Sequence, residues 1–317
     1  MFNIPGVFYT NDPKNIYDEQ WLIDTNKVNN LKQHKFTVLD FSSEHYGDDT
    51  LSILYQQLID CDLNFLLLSH DIKDHKRLPR LLFFPHWYHW AKEHFVTTGL
   101  LDNSKNFQWG CLNGNPRPHR IYNYVYSKQK SYFDSACFSM HNAEGATRLD
   151  DVTLDTQIID LWDELKVGMR ERSAGLNHNG LRPDADCRLP ACADAYVQLV
   201  TETTVIPKIF VSEKTWKPIA SGQLFLIFGN PGIIDYLRSQ GVDVYDDLID
   251  HSYDYENDWK TRLHLIHEQL EKLLKLDLKN IYVNTYYRRK LNSEKFFSGE
   301  FDKQYFREIQ ECINTQS

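Results

Sequence analysis

Two short apolar runs constrain this chain more than any other feature: FLLL at 65–68 and LFLIF at 224–228. Neither alternates with polar residues, so neither suits a sheet that is wet on one side. Both are far too short to cross a membrane. A continuous apolar run of this length, closed by turn residues, reads as a strand covered on both faces. LFLIF is followed by GNPG, a turn, and FLLL by Ser69, His70 and Asp71.

The segments around these runs alternate in type. In the first hundred residues FNIPGVFY, FTVLDF and NFLLLS read as strands, and TLSILYQQLID has helical spacing. LPRLLFFPHWYHWAKEHF begins as a strand and continues as an aromatic helix or loop. Further on, FQWGCLN (107–113) reads as a strand, GNPRPHR as a loop and IYNYVYSKQK as a helix. AYVQLVTET is a strand, SEKTWKPIAS a helix with Gly222 as its left-handed cap, QLFLIF a strand, IIDYLRSQ a helix stopped by Gly241, and VDVYDD a further strand. Strand–helix–strand order with short loops implies parallel sheets. Residues 155–172, 259–276 and 293–313 carry helical patterns, and the polar stretches around 141–195 read as long loops. The expected architecture is α/β, with an N-terminal domain over 1–104, a second domain over 105–290 and a C-terminal helix over 291–317.

Charge and cysteine usage narrow the class. The formal net charge is −9, so only a local basic patch, such as Lys73–Lys76–Arg77–Arg80 or Arg288–Arg289–Lys290–Lys295, is a place for nucleic acid. Solvated helix faces account for both. The six cysteines are scattered without CxxC spacing, as expected of reduced thiols, and MFNIPGVFYTND lacks the pattern of a secretory signal. A cytoplasmic protein is the expectation.

Two strand–helix junctions carry chemistry. The first is SEKTWKP. A helix start offers N–H groups and a positive dipole end to an anion. Lys214 adds a point charge, Glu213 a hydroxyl acceptor, and Pro218 fits a first helical turn. The second is NGNPRPHR, where Arg117, His119 and Arg120 fall within four positions; arginine recognises phosphate with a rigid fork of donors. Two cationic junctions in one sheet suit a diphosphate held between them. A third group, His70, Asp71 and Asp74, with Glu44 after the earlier strand, supplies candidates for a proton acceptor. The Asp184-Ala185-Asp186 triplet and the near-helical spacing of His86, His89 and His94 are weaker metal signals. GxGxxG, GxxxxGK[ST] and GxSxG are absent.

The run from Thr201 through SEKTWKPIASGQLFLIFGNPG resembles the donor-binding segment of the α-1,3-fucosyltransferase family. Glu202-Thr203, Phe210-Val211-Ser212-Glu213-Lys214, Gly222 and Gly229-Asn230-Pro231 take the places of its motif. NGNPRPHRIYNYVYS is similar to that family's strand–loop–Arg–helix segment, and DLNFLLLSHDIKDHKRLPRLLFFP to a segment of its first domain. The resemblance implies a GT-B-like fold of two Rossmann-like domains facing a cleft, with C-terminal helices. It implies an inverting, metal-independent transferase that takes a GDP- or UDP-sugar as donor substrate and has no separate cofactor. Arg120 and Lys214 would hold the diphosphate and Glu213 the sugar or ribose, with Arg117, Glu202 and Lys217 completing the donor side. Thr203 stands where the family has Asn. The base is Glu44, Asp71 or His70. The acceptor is a glycan hydroxyl; DNA carrying a hydroxymethylated pyrimidine is the alternative, and a non-catalytic nucleotide- or sugar-binding protein is a second.

Overall fold

The computed structural model describes residues 7–11, 24–42, 48–69, 80–97, 105–113, 116–140, 185–205 and 209–316. The chain divides into two compact units, Met1–His89 with Glu300–Ser317, and Trp90–Gly299. The division therefore falls within a helix, upstream of the expected boundary, and the last helix belongs to the first unit.

The first unit is built on a parallel sheet of order β1-β2-β3-β4: Val7–Thr10, Phe36–Asp40, Phe65–Ser69 and Leu81–Phe83. Its side chains explain the unbroken apolar runs. Leu39, Phe65 and Leu67 point to one face, where they meet Val28 and Leu31 of helix Thr25–Leu31 and Leu51, Leu54 and Leu58 of helix Asp48–Asp60. Phe36, Val38, Leu66 and Leu68 point to the other, where Tyr305, Ile309 and Ile313 of helix Glu300–Gln316 cover them. Period-two alternation is present, but both faces are dry, so it cannot appear in the hydropathy.

The second unit holds a parallel sheet of order β6-β5-β7-β8, with β5 Phe107–Asn113, β6 Ala136–Met140, β7 Ala195–Thr201 and β8 Leu224–Phe228. β6 is missing from the sequence reading. It is an edge strand with alternating burial, and its short ACFSM run gives little periodic signal. Helix Pro118–Lys128 follows β5, helix Glu213–Ala220 follows β7 and helix Ile233–Ser239 follows β8.

Four local expectations are corrected. Residues 242–247 form no strand. Tyr245 takes φ +65, the Asp243 N–H donates to Asn292 Oδ1, and Asn292 Nδ2 donates to the Asp243 carbonyl, so side chains replace a ladder. The helix after β5 starts at Pro118 rather than Ile121, which puts His119 and Arg120 in its first turn. Pro218 lies inside helix Glu213–Ala220, not in its first turn; Ser212 is the N-cap, accepting from the Lys214 N–H. The Arg288–Lys295 cluster is only partly a solvated face. The fully buried Arg289 guanidinium lies 3.4 Å from the Tyr282 ring centroid and donates to the carbonyls of Gly222 and Tyr282 at 2.7 Å. Arg288 pairs with Asp243 and Asp247. The expected helix at 155–172 lies outside the described residues.

Candidate functional site

The second sheet reverses direction at its centre. From β5 the chain moves outward to β6; from β7 it moves the other way, to β8. With right-handed crossovers, the connections after the neighbours β5 and β7 leave toward opposite faces. A crevice opens at such a point beyond the carboxyl ends of the strands, and open parallel sheets bind ligands there. Both cationic junctions of the sequence belong to these two strands.

The strand ends are tied together by Thr201 Oγ1, which donates to Asn113 Oδ1. One residue on, Glu202 is fully buried and organises everything around it. Its Oε1 accepts from the Ser212 N–H at 3.1 Å and Thr215 Oγ1 at 2.6 Å; its Oε2 accepts from the Thr203 N–H at 3.0 Å and from Ser212 Oγ. These four bonds fill the lone-pair positions of a carboxylate. Glu202 therefore acts by fastening the start of helix Glu213–Ala220 to the end of β7. Its carbonyl accepts from His119 Nε2 and Arg120 Nη2, both at 2.9 Å, which fastens the β5 side as well. Gly229 leaves the space for this clamp, because a Cβ there would lie 3.0 Å from Glu202 Cγ and 2.5 Å from Ile233 Cδ1.

The charges converge on this scaffold. Arg117, the N-cap of helix Pro118–Lys128, donates to the Thr203 carbonyl at 3.0 Å. Lys214 pairs with the buried Glu213 carboxylate, and its Nζ lies 3.4 Å from Thr203 Oγ1 and 3.5 Å from Ser212 Oγ. The Lys214 side chain is 22% exposed. Burial, and the positive charge of Arg117, lower the Arg120 guanidinium to about 10, so it stays charged at neutral pH. Burial and the charge of Arg120 push the His119 imidazole down to about 3, so it stays neutral and serves as a hydrogen-bond donor. Three cations, Arg117, Arg120 and Lys214, thus face two carboxylates, Glu202 and Glu213. One carboxylate is saturated by hydrogen bonds, and the surplus is one positive charge.

Lys217 lies on the same helix, four residues after Glu213. It is buried, and its charge acts on Asp186, Cys187 and Cys192. Asp186 itself forms a two-pronged pair with Arg188, at 2.8 and 3.0 Å. The candidate bases Glu44, His70 and Asp71, together with Asp74 and Asp184, lie outside the described residues.

The three histidines of helix His86–His94 serve separate partners. His86 Nδ1 lies 3.8 Å from Asp40, His89 Nδ1 is 3.4 Å from Asp302, and His94 Nδ1 is 2.8 Å from the Trp90 carbonyl. Among the described residues no group of three His, Cys, Asp or Glu side chains is arranged to hold a metal ion. Nor is any helix there long and apolar enough to cross a membrane. The six cysteines are free thiols.

Sequence reasoning missed Asp40, a buried carboxylate at the end of β2, because it reads as the last polar residue of FTVLDF. It also gave Glu202 a ligand-binding role, since a strand-end glutamate does not reveal how many donors surround it. Compared with protein families, with curated proteins and with solved structures, the chain matches none.

Proposed function

We propose that this protein is an inverting glycosyltransferase of GT-B type that takes a sugar from a nucleoside-diphosphate donor to the hydroxyl of a glycan acceptor. The observation that carries the reading is the gathering of Arg117, Arg120 and Lys214 at the reversal of strand order between β5 and β7. A parallel sheet offers a ligand crevice at that point, and a surplus of positive charge backed by two helix starts suits a diphosphate.

In this reading the second unit holds the donor. Lys214, whose side chain is 22% exposed, exchanges part of its interaction with Glu213 for a phosphate oxygen. Arg117 and Arg120 supply fixed positive charge behind it. As the bond between the anomeric carbon and the diphosphate breaks, negative charge grows on the leaving oxygen. Cations held in place before the reaction stabilise that charge without reorganising. Glu213, buried next to Lys214, accepts a hydroxyl of the ribose or the sugar.

The DNA alternative gains nothing from the described residues. Arg80, from the basic track at 73–80, donates to the Leu63 carbonyl at 3.2 Å and lies over the Phe65 ring. It serves the fold.

Thermal unfolding with UDP, GDP and their sugars tests the proposal. A ligand bound at one hundred times its Kd stabilises by about 2.7 kcal/mol, and at least one nucleotide should raise the Tm measurably. No shift with any nucleoside diphosphate would overturn the reading.

A further inference from the structure

The first unit carries a polar cluster of its own at the carboxyl ends of its strands. β2 ends at Asp40, Tyr9 lies near the end of the neighbouring β1, and the helix after β4 begins with His86. Asp40 is only 3% exposed, and every group around it donates. Its Oδ1 accepts from the Ser42 N–H at 3.0 Å and from Ser42 Oγ. Its Oδ2 accepts from the Tyr9 hydroxyl and faces His86 Nδ1 at 3.8 Å. Burial alone would push the Asp40 carboxyl up, but the nearby His86 and the bonds from Ser42 and Tyr9 outweigh it and hold the group below the usual carboxylate range. Asp40 is thus an ionised carboxylate fixed in one orientation, with one oxygen directed at an imidazole.

His89 on the same helix also faces a buried carboxylate, Asp302 at 3.4 Å; what sets His86 apart is its place at the start of the helix, beside the carboxyl ends of β1 and β2. The His86 side chain is 20% exposed, so substrate can reach the ring. A carboxylate facing Nδ1 selects the tautomer with its proton on Nδ1, which leaves the Nε2 lone pair as the basic site. A direct hydrogen bond needs about 1 Å of closure, since N–H···O bonds lie near 2.9 Å. Catalytic hydrogen bonds are often this long before substrate binds.

We infer that His86 is the proton acceptor for a hydroxyl-bearing substrate, with Asp40 as the positioning residue that fixes its tautomer. The inference rests on the transferase reading for the identity of the step. His86 Nε2 takes the proton of the hydroxyl, and the O–H electron pair stays on the oxygen, which becomes the nucleophile. Asp40 keeps its charge throughout and stabilises the imidazolium.

The test uses the full chain and two kinds of readout. Ring ¹⁵N NMR with assigned histidines reports the tautomer of neutral His86. The expected result is the Nδ1–H form in the wild type and its loss in Asp40→Asn. Carbethoxylation by diethyl pyrocarbonate, followed by peptide mass spectrometry, should modify His86 quickly in the wild type and several-fold more slowly in Asp40→Asn. Asp40→Asn removes the charge while keeping the shape, and His86→Gln reports separately should Asp40→Asn fail to fold. Given a donor identified among UDP- and GDP-sugars, His86→Gln should lower kcat about 10²- to 10⁴-fold, as a general base contributes, with nucleotide affinity unchanged. An Nε2–H tautomer, an unreactive ring or undiminished turnover in His86→Gln overturns the inference and leaves the donor site standing. A reactive Nδ1–H imidazole in a protein that binds no nucleotide supports His86 as a base and overturns the donor reading instead.

Discussion

In the first unit the strands lie in chain order, β1-β2-β3-β4, so each crossover moves the same way across the sheet; in the second the order β6-β5-β7-β8 turns back at β5. Both sheets are parallel, and both bury apolar strands on two faces. Their strand ends are equipped differently. The first sheet ends in an anionic cluster around Asp40, reached by neutral donors and one imidazole. The second ends in Arg117, Arg120 and Lys214, which bond to the Thr203 carbonyl, the Glu202 carbonyl and the Glu213 carboxylate. The difference teaches that charge follows topology here. Cations gather where the strand order reverses, and a crevice is expected there. The unit without a reversal presents the Asp40 carboxylate and the His86 imidazole.

Breaking the Glu202 clamp should have the largest effect. Glu202→Ala leaves the Thr203 and Ser212 amides and the Ser212 and Thr215 hydroxyls around it without their acceptor. A loss of about 3–5 kcal/mol is expected, as for other broken buried charge networks. Denaturant unfolding with hydrogen exchange resolved by unit should place that loss in residues 90–299.

Acid should separate the two units next. Burial pushes His119 and His267 down to about 3, below the ordinary 6.5. A depressed histidine contributes stability that is present above 6.5 and lost as pH falls toward 3. The cost is about 1.4 kcal/mol per histidine for each pH unit below 6.5. Asp254 acts in the opposite sense. Burial raises it to about 6, so its protonation below pH 6 returns part of the loss. Two histidines outweigh one carboxyl, so the second unit should lose exchange protection between pH 6.5 and 4. Asp40 is lowered, and its contribution is lost only below the ordinary carboxylate range. Equal loss of protection in both units across this window would break the comparison.

Two smaller changes sharpen it. Tyr9→Phe removes one hydroxyl from Asp40, a bond to a charged group worth about 1.5–3 kcal/mol, and unfolding should register it in the first unit. Gly229→Ala forces a methyl against Ile233 and Glu202. Such overpacking costs about 1–3 kcal/mol, and nucleotide affinity should fall with it because the clamp shifts.

Much of the fold was legible in the residues. FQWGCLN corresponds to β5 residue for residue, and the strand–helix alternation gave two parallel sheets. Residues 242–247 were misread because VDVYDD has strand propensity, while the structure bonds the Asp243 backbone to the Asn292 side chain and its carboxylate to Arg288. No local pattern announces such a tertiary override. The candidate site was legible at Arg117, Arg120, Glu213 and Lys214, since charges at strand–helix junctions stand out. The neutrality of His119 was not, because it depends on burial beside Arg120, nor was the saturation of Glu202, because it depends on how the chain brings Thr203, Ser212 and Thr215 around one carboxylate. Nor was Asp40, whose partners Tyr9 and His86 come from different elements.

The account's central claim is an anion site at the reversal between β5 and β7, and calorimetric titration of UDP and GDP into the wild type and Lys214→Ala tests it most directly. The predicted result is binding of at least one nucleotide by the wild type, with affinity at least about tenfold weaker in the variant, a difference of about 1.4 kcal/mol. Equal affinity in the two proteins, or no binding to the wild type, would contradict it.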